Sequence, residues 1–547
     1  MRNFFLFLIV LFLKFSIASS QTLQWAKQFG GAQSDAAFSN AIDFTGNIYI
    51  TGYTDILSTE IFINKVDSNG NTLWSKIIGG PGVDESLHIT TDTICNVYIC
   101  GSFSDSVDFD PGPNTKMLIS HGYSDAFLLK LDSAGNFIWI SQLGGGEFIE
   151  DRSRSCIVKD NIVYWCGIFT DTLFYTTQNI SLPIAVSHGL EDVFILKLDS
   201  IGNYLWSRTI GGIQREEIAA IAIDKTNNLL LTGMFNGLCD FNPDTTVNFN
   251  LTSFGQSDVY VCKFDSAGNF MWAGQMGGVD FDLATDIKSN KKNDIIIAGY
   301  FAGVMDVDPG VGVLNLSSLG NSDVFIAILD SNGFLVAGNS WGGIGVDFIK
   351  SITLDLANNI FSTGKFSDTV DFDPSVGIFN LHAQGSGDTF ISKLDSGGNF
   401  VWANQLHGNN DNIGYSIKLD TYENIYVCGS FAGTCDFDPS NNSYNITSAG
   451  INDGYIFKWS QPVTGLYDNY TNTLIKVFPN PFTETVQINV IEKATVTISS
   501  ITGQVILRTI LPVGINTIDM ASQKSGTYLL NVLTDKSSSN AVIIKSN

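Results

Sequence analysis

The sequence is short of charge, and of positive charge above all. Charged residues are 15% of its 547, with 29 Lys and Arg against 54 Asp and Glu, where about a quarter is usual. The resulting net charge of −25 excludes a nonspecific nucleic-acid binder, which needs a cationic surface to neutralise phosphates. Histidine is scarce. His88, His121, His188, His382 and His407 are the whole set, and their spacing matches no zinc motif such as H-E-x-x-H. There is no C-x-x-C pair, no nucleophile elbow and no phosphate-binding glycine loop opening a helix. Convincing amphipathic helices are missing as well. Disorder is not what remains, because 44% hydrophobic content builds cores. The length exceeds one ordinary domain unless a repeat lets a single domain grow.

Long apolar runs are also missing. The Phe4–Leu13 run is shorter than the ~20 residues that span a bilayer, and Lys14 interrupts it. With Arg2 before it and Ile17-Ala18-Ser19-Ser20 after it, residues 1–20 read as a secretory signal peptide cut before Gln21. Without Arg2 and Lys14 the net charge is −27. No transmembrane segment is expected in the mature chain.

What is abundant is repetition. Trp74, Trp139, Trp206, Trp272 and Trp402 each follow a D-S-x-G-N segment. Trp25 starts the series and Val336 holds the place in one copy, at spacings of 49, 65, 67, 66, 64 and 66. A period of about 65 residues signals stacked supersecondary units. Each unit reads as four short strands. One holds the Trp and ends in a Gly pair, one ends in Asp, one is of the Asn47-Ile-Tyr-Ile-Thr-Gly52 type, and one is of the Asp125-Ala-Phe-Leu-Leu-Lys-Leu-Asp132 type. These segments are β-branched and aromatic, bounded by Gly, Asn and Asp, and their near-continuous apolar runs suit strands buried on both faces. Asp132-Ser-Ala-Gly135-Asn136 is a hairpin turn, so the fourth strand of one unit pairs with the Trp strand of the next. The expected fold is all-β: a seven-bladed β-propeller over residues 21–460. Asp453–Trp459 has no following Trp strand, so Leu23–Gln28 is expected to pair with it and close the ring, hiding both edges. The G-N-I-Y-x-T-G and D-x-F-I-x-K-L-D patterns resemble the bacterial SBBP beta-propeller repeats. That resemblance implies an extracellular propeller and no particular reaction.

Acids recur in register. Asp35, Asp84, Glu150, Glu216, Asp282 and Asp347, with Asn412 as the seventh, follow the Gly pairs. Two readings stand. Facing a common axis, six carboxylates would favour an oxygen-loving cation such as Ca²⁺; otherwise each caps its own turn. A second series pairs Asp108 with Asp110, Asp306 with Asp308, Asp371 with Asp373 and Asp436 with Asp438, each pair before a Pro, with Asp240 and Asn242 in a related place. It is either the start of a calcium loop, although the distal Glu is absent, or a turn stapled by its central apolar residue. Arg152, Arg154 and Arg215 break the repeat, on the loops of two consecutive units; they are candidates for an anionic sugar or carboxylate, or solvated surface charges. Cys100, Cys166 and Cys428 share one repeat position, and Cys239 and Cys435 another. They read as small buried residues, with a local Cys428–Cys435 disulfide left open by secretion.

After a linker over residues 461–475 the repeat stops. Residues 476–547 alternate through six short strands, as a small Ig-like β-sandwich does. Phe478-Pro479-Asn480-Pro481-Phe482, Thr502-Gly503-Gln504, Gly526, Tyr528 and Lys545 make this module resemble the type A C-terminal sorting domain of the type IX secretion system. The resemblance implies a Bacteroidota-type host, passage through the periplasm, contact with the type IX machinery, and release or display at the outer surface. The expected function is a non-catalytic binding, adhesion or structural module meeting carbohydrate, matrix or surface protein. The alternative is a secreted glycan hydrolase or lyase, since paired acids are plentiful.

Overall fold

The computed structural model describes residues 21–55, 58–146, 150–176, 181–244, 246–461, 475–478, 482–490, 493–500, 504–533 and 538–546. The expected signal peptide, and all of the expected linker but Gln461 and Ile475, lie outside the described residues. The chain divides into two compact units, one spanning Ser20–Gln461 and one containing Pro462–Asn547. No helix among the described residues is long and apolar enough to cross a membrane.

Among the described residues the first unit holds seven sheets with a core of four antiparallel strands, and three smaller sheets of two or three strands beside them. The first sheet is typical: Asp35–Ile42, Ile48–Asp55, Thr59–Val66 and Thr72–Ile78 lie side by side in chain order. The innermost strands are Asp35–Ile42, Glu85–Thr91, Arg152–Lys159, Glu216–Ile223, Asp282–Ser289, Phe348–Leu354 and Asn412–Leu419. Each packs against the next, and the last packs against the first, so the sheets close into a propeller. The middle strands, such as Val97–Phe103 and Asp125–Leu131, are buried along their whole length, as their unbroken apolar runs require. Closure is made by Thr22–Phe29, which pairs with Asp453–Ser460 from Thr22↔Ser460 to Phe29↔Gly454. The last sheet therefore takes its outer strand from the opposite end of the unit, and Asp453–Ser460 is not left as an open edge for another chain to extend.

The Trp marker and the D-S-x-G-N turn are two halves of one joint. Trp74 donates its indole N–H to the Ser133 carbonyl of the next blade at 3.2 Å, and Trp139 does the same to Ser200. Lys65 and Lys130, from the strand beside each Trp, reach the same two carbonyls at 2.8 and 2.7 Å. Gly135 of that turn sits at φ +81° with the Trp74 ring against it; a Cβ there would lie 3.3 Å from the indole. Glycine is needed twice over, for the left-handed backbone and for the ring.

In the second unit, Ile475–Phe478, Thr485–Val490 and Gly514–Asp519 form one antiparallel sheet. Val505–Leu511, Ala494–Ser500, Gly526–Leu533 and Ser538–Lys545 form another. They share a core that includes Phe482, Val486, Ile488, Val496, Ile498, Tyr528, Leu530, Val532 and Ile543.

Candidate functional site

Every innermost strand carries one β-bulge. The register slips at Ala37/Ser39, Ser86/His88, Ser153/Ser155, Ile218/Ala220, Ala284/Asp286, Ile349/Ser351 and Gly414/Ser416. A bulge leaves one residue unpaired and re-aims its side chain. The seven skipped residues are Phe38, Leu87, Arg154, Ala219, Thr285, Lys350 and Tyr415, and all seven line the cavities at the centre of the ring. They are shared by two chambers. The larger, about 490 Å³, is reached by Glu85, Glu217, Met234 and Tyr300. The smaller, about 140 Å³, is walled by Ser39, His88, Ser155, Asp286, Lys288, Ser351, Ser416 and Lys418.

Four cations therefore meet near the axis of an acidic protein. Arg154 pairs with Glu217 at 3.3 Å, but its Nε is buried with no hydrogen-bond partner. Burial and the neighbouring Arg154 charge push the Lys350 amine below its ordinary range. Burial, with the charge of Lys288, pushes Lys418 down to about 8. Asp286 is the opposing acid. It pairs with Lys288 and also accepts from Ser351 Oγ at 3.1 Å and the Ile352 N–H at 2.9 Å. Burial works against its charge, yet Lys288 and Lys418 hold its carboxyl below the usual range. Charges of one sign brought together in a partly dry site attract an anion more strongly than the same charges on an open surface.

One wall of the smaller chamber carries a different chemistry. His88, Cys100 and Cys156 bring their Nδ1 and two Sγ atoms within 4.8 Å of one another, with both cysteines buried. Cys156 Sγ lies 3.7 Å from His88 Nδ1. Of the two thiols, Cys156 ionises first, because Cys100 donates to it and His88 lies beside it. All eight cysteines are buried and unpaired.

The acids after the Gly pairs are placed elsewhere, at the junctions between blades. Asp84 accepts from the Gly80 N–H, Asp282 from Gly278 and Asp347 from Gly343, each at 2.7 Å; Glu216 accepts from Gly212 and Asp35 from Gly31 at 2.8 Å. None of them lines the axial chambers. Among the described residues they do not come together within reach of one ion. The third member of the series is corrected. Glu150 is exposed and paired with Arg152, while Asp151 accepts from Gly145 N–H at 3.1 Å and from Thr170 N–H. This loop is two residues longer than in the other blades, with Gly146 as a third glycine, so the fourth residue after its last glycine is Glu150 and not Asp151. The Gly pairs themselves answer crowding: a Cβ on Gly277 would collide with the Asp258 carboxyl, and one on Gly278 with the Val304 carbonyl.

The second acidic series forms Asx turns. Asp108, Asp306, Asp371 and Asp436 each accept from two backbone N–H groups, two and eight residues on. Asp110, Asp308, Asp373 and Asp438 each accept from the N–H two residues further. Between them, Phe109, Phe372 and Phe437 are at most 1% exposed and staple the loops down. Arg152 and Arg154 lie on a strand rather than in loops, and Arg215, which pairs with Glu191 and Glu217, directly precedes one.

Of the sorting residues, Pro479, Asn480, Pro481 and Gly503 lie outside the described residues, and Phe478 ends a strand. The others hold the second unit together. Lys545, 8% exposed, donates to the Met520, Ala521 and Gln523 carbonyls at 2.9, 2.9 and 2.7 Å. Phe482 is buried, and its backbone N–H bonds the Ile544 carbonyl. The Tyr528 hydroxyl donates to the Lys524 carbonyl, and Gly526 opens its strand.

Comparison with known proteins places both units. Residues 476–546 match the secretion system C-terminal sorting domain, and residues 24–57 match the SBBP beta-propeller repeat. An uncharacterised WD repeat-containing protein, L264 of Acanthamoeba polyphaga mimivirus, is 23% identical over 439 residues, covering 67% of this chain and 32% of the relative. The regulatory protein FlaEY of Caulobacter vibrioides is 24% identical over 248 residues, covering 43% of this chain and 25% of its own. The chain thus spans a third or less of the length of these curated relatives. A Bacteroides caccae protein of unknown function overlaps 71% of this chain and 94% of its own, at a TM-score of 0.30 and 10% identity. The chain carries SBBP propeller repeats and a type IX secretion sorting domain, and the sorting domain marks it for export to the cell surface or beyond.

Proposed function

We propose that this exported propeller, bounded at residues 21–460 and carried by an Ig-like type A tail at 476–547, is a non-catalytic binding module that takes an anionic group into its axial cavity. A Bacteroidota-type host, the signal peptide at 1–20 and passage through the periplasm belong to the same reading. The observation that carries the binding function is the convergence of Arg154, Lys350, Lys288 and Lys418 on one cavity in a chain of net charge −25, with the Arg154 Nε buried and unpartnered. A carboxylate or sulfate of an acidic glycan, or an acidic side chain of a matrix or surface protein, has the matching chemistry. The test is an array of acidic and neutral glycans and matrix proteins probed with the full chain. Acidic ligands should bind, weaken with added salt and be lost in Arg154→Leu; equal retention of neutral ligands would overturn the reading.

The alternative, a glycan hydrolase or lyase, has one observation in its favour: Glu85 and Glu217 line the same chamber. Glu217, however, is engaged by both Arg154 and Arg215, which favours a holding role. Turnover of an acidic polysaccharide that disappears in Glu85→Gln would restore the enzyme.

A further inference from the structure

We propose that His88, Cys100 and Cys156 form a zinc site in the wall of the axial cavity, with the fourth coordination position open to the cavity. The three ligands come from three strands. His88 and Cys100 stand directly opposite one another on neighbouring strands of the second blade. Cys156 lies on the innermost strand of the third blade, which packs against both of those strands. A tetrahedral ion with Zn–S of about 2.3 Å and Zn–N of about 2.0–2.1 Å holds its ligand atoms roughly 3.5–3.8 Å apart. The 3.7 Å between Cys156 Sγ and His88 Nδ1 already matches, and all three ligand atoms fall within 4.8 Å, so small side-chain movements complete the set. Two sulfurs and an imidazole are the soft-to-borderline donors that select zinc over calcium or magnesium. Binding two thiols as thiolates releases their protons to solvent.

The repeat gives an independent argument. At the position of His88 the other blades carry Ser39, Ser155, Ala220, Asp286, Ser351 and Ser416. At the position of Cys156 they carry Asn40 in the first blade and Ile89, Ile221, Ile287, Ile352 and Ile417 in the rest. Cys166 and Cys428 repeat the Cys100 position, but the residues facing them across the strand pair are Ser155 and Ser416. Only at the junction of the second and third blades do all three ligands coincide. His88 also lines the smaller chamber, so a bound ion would have access to an incoming oxygen ligand there. Two donors face a buried junction and one faces the cavity, which is the arrangement of a site with an open position.

The test uses the reduced full-length chain, loaded with Zn²⁺ or with Co²⁺ as a spectroscopic substitute. The expected result is one ion per chain after exhaustive dialysis and a thiolate-to-cobalt charge-transfer absorption. His88→Ser, Cys100→Thr and Cys156→Ile install residues that other blades already carry in those places, so the metal-free variants should keep the parent's thermal unfolding. Each variant should lose the charge-transfer band and most of the affinity. Cobalt held by the parent without that band, a band that survives all three substitutions, or a Cys100–Cys156 disulfide in protein recovered from outside the cell would each overturn the proposal.

Discussion

Asn412 donates its side-chain amide to the Asp388 carboxylate at 3.2 Å. At four other junctions of the ring two acids meet instead: Asp125 with Asp151, Asp192 with Glu216, Asp258 with Asp282 and Asp323 with Asp347. Burial, helped by the facing acid, pushes Asp151 and Glu216 up to about 8, Asp282 up to about 7 and Asp347 up to about 6. Buried oxygens on Asp192, Glu216, Asp258, Asp282 and Asp323 have no partner, and a proton held between the two acids would satisfy them.

The folded chain therefore holds protons that the unfolded chain has released. Their stabilisation is complete below the unfolded carboxyl range and is lost as pH rises through about 6 to 8. The melting temperature should fall between pH 5 and pH 8. Each such group contributes roughly 1.4 kcal/mol per pH unit while it is protonated only in the folded state. Asp282→Asn, which copies the amide of Asn412, should flatten the profile and raise stability above pH 7. A flat profile in the parent protein, read by calorimetry, would remove the shared proton.

Gly333→Ala should destabilise the ring by about 1–3 kcal/mol. Its φ is +88°, and a Cβ would lie 2.9 Å from the Trp272 ring. Gly46→Ala is the control, because its φ is +84° but nothing lies within 4 Å. It should show only the backbone cost, about 1 kcal/mol. Chemical denaturation of both variants separates the backbone term from the packing of the turn against the neighbouring blade; equal losses would show that the Trp contact carries no energy.

Lys350→Met should stabilise the protein and weaken its hold on acidic ligands together. The change removes a largely desolvated amine that faces the Arg154 charge, and a gain of about 1 kcal/mol is expected from relieving that repulsion. Affinity for an acidic glycan should drop about tenfold or more, the effect of losing one charge-assisted contact. Thermal shift and calorimetric titration on the same sample read both quantities.

Removing residues 21–29 should leave Gly454–Ser460 as an open edge, paired only on its inner side. A lower melting temperature and self-association seen by light scattering are expected, since an unpaired strand recruits another chain. Unchanged stability would show that the ring does not depend on the terminal pairing.

Lys545→Met should unfold the second unit locally by about 2–4 kcal/mol, because three carbonyls lose their donor in a buried place. Export should fail, as it should when residues 476–547 are deleted, and the chain should accumulate inside the cell.

The scaffold was readable in the sequence because its constraints are local. The Trp, the Asp-Ser-x-Gly-Asn turn and the Gly pair each solve a steric problem that recurs in every blade, so each leaves a periodic mark. The axial ring left no such mark. A bulge fixes where the backbone swells and leaves the side chain free, and the seven bulge residues are seven different types. Arg154 stood out only as a departure from the repeat. Glu150 sits at the periodic count and Asp151 in the turn because this loop is two residues longer than its counterparts. The His88, Cys100 and Cys156 group was hidden for a different reason. Its members are separated by 12 and 56 residues, and only the stacking of two blades brings them together.

The pairing of Thr22–Phe29 with Asp453–Ser460 also fixes an order of events. Synthesis runs from the first strand to the last, so the lock lacks its second half until almost the whole propeller has been made. The sorting domain at residues 476–546 comes directly after that half. A chain broken anywhere before residue 453 carries neither the closing strand nor the address. The sorting domain is therefore present only on a chain that already carries both halves of the closing pair.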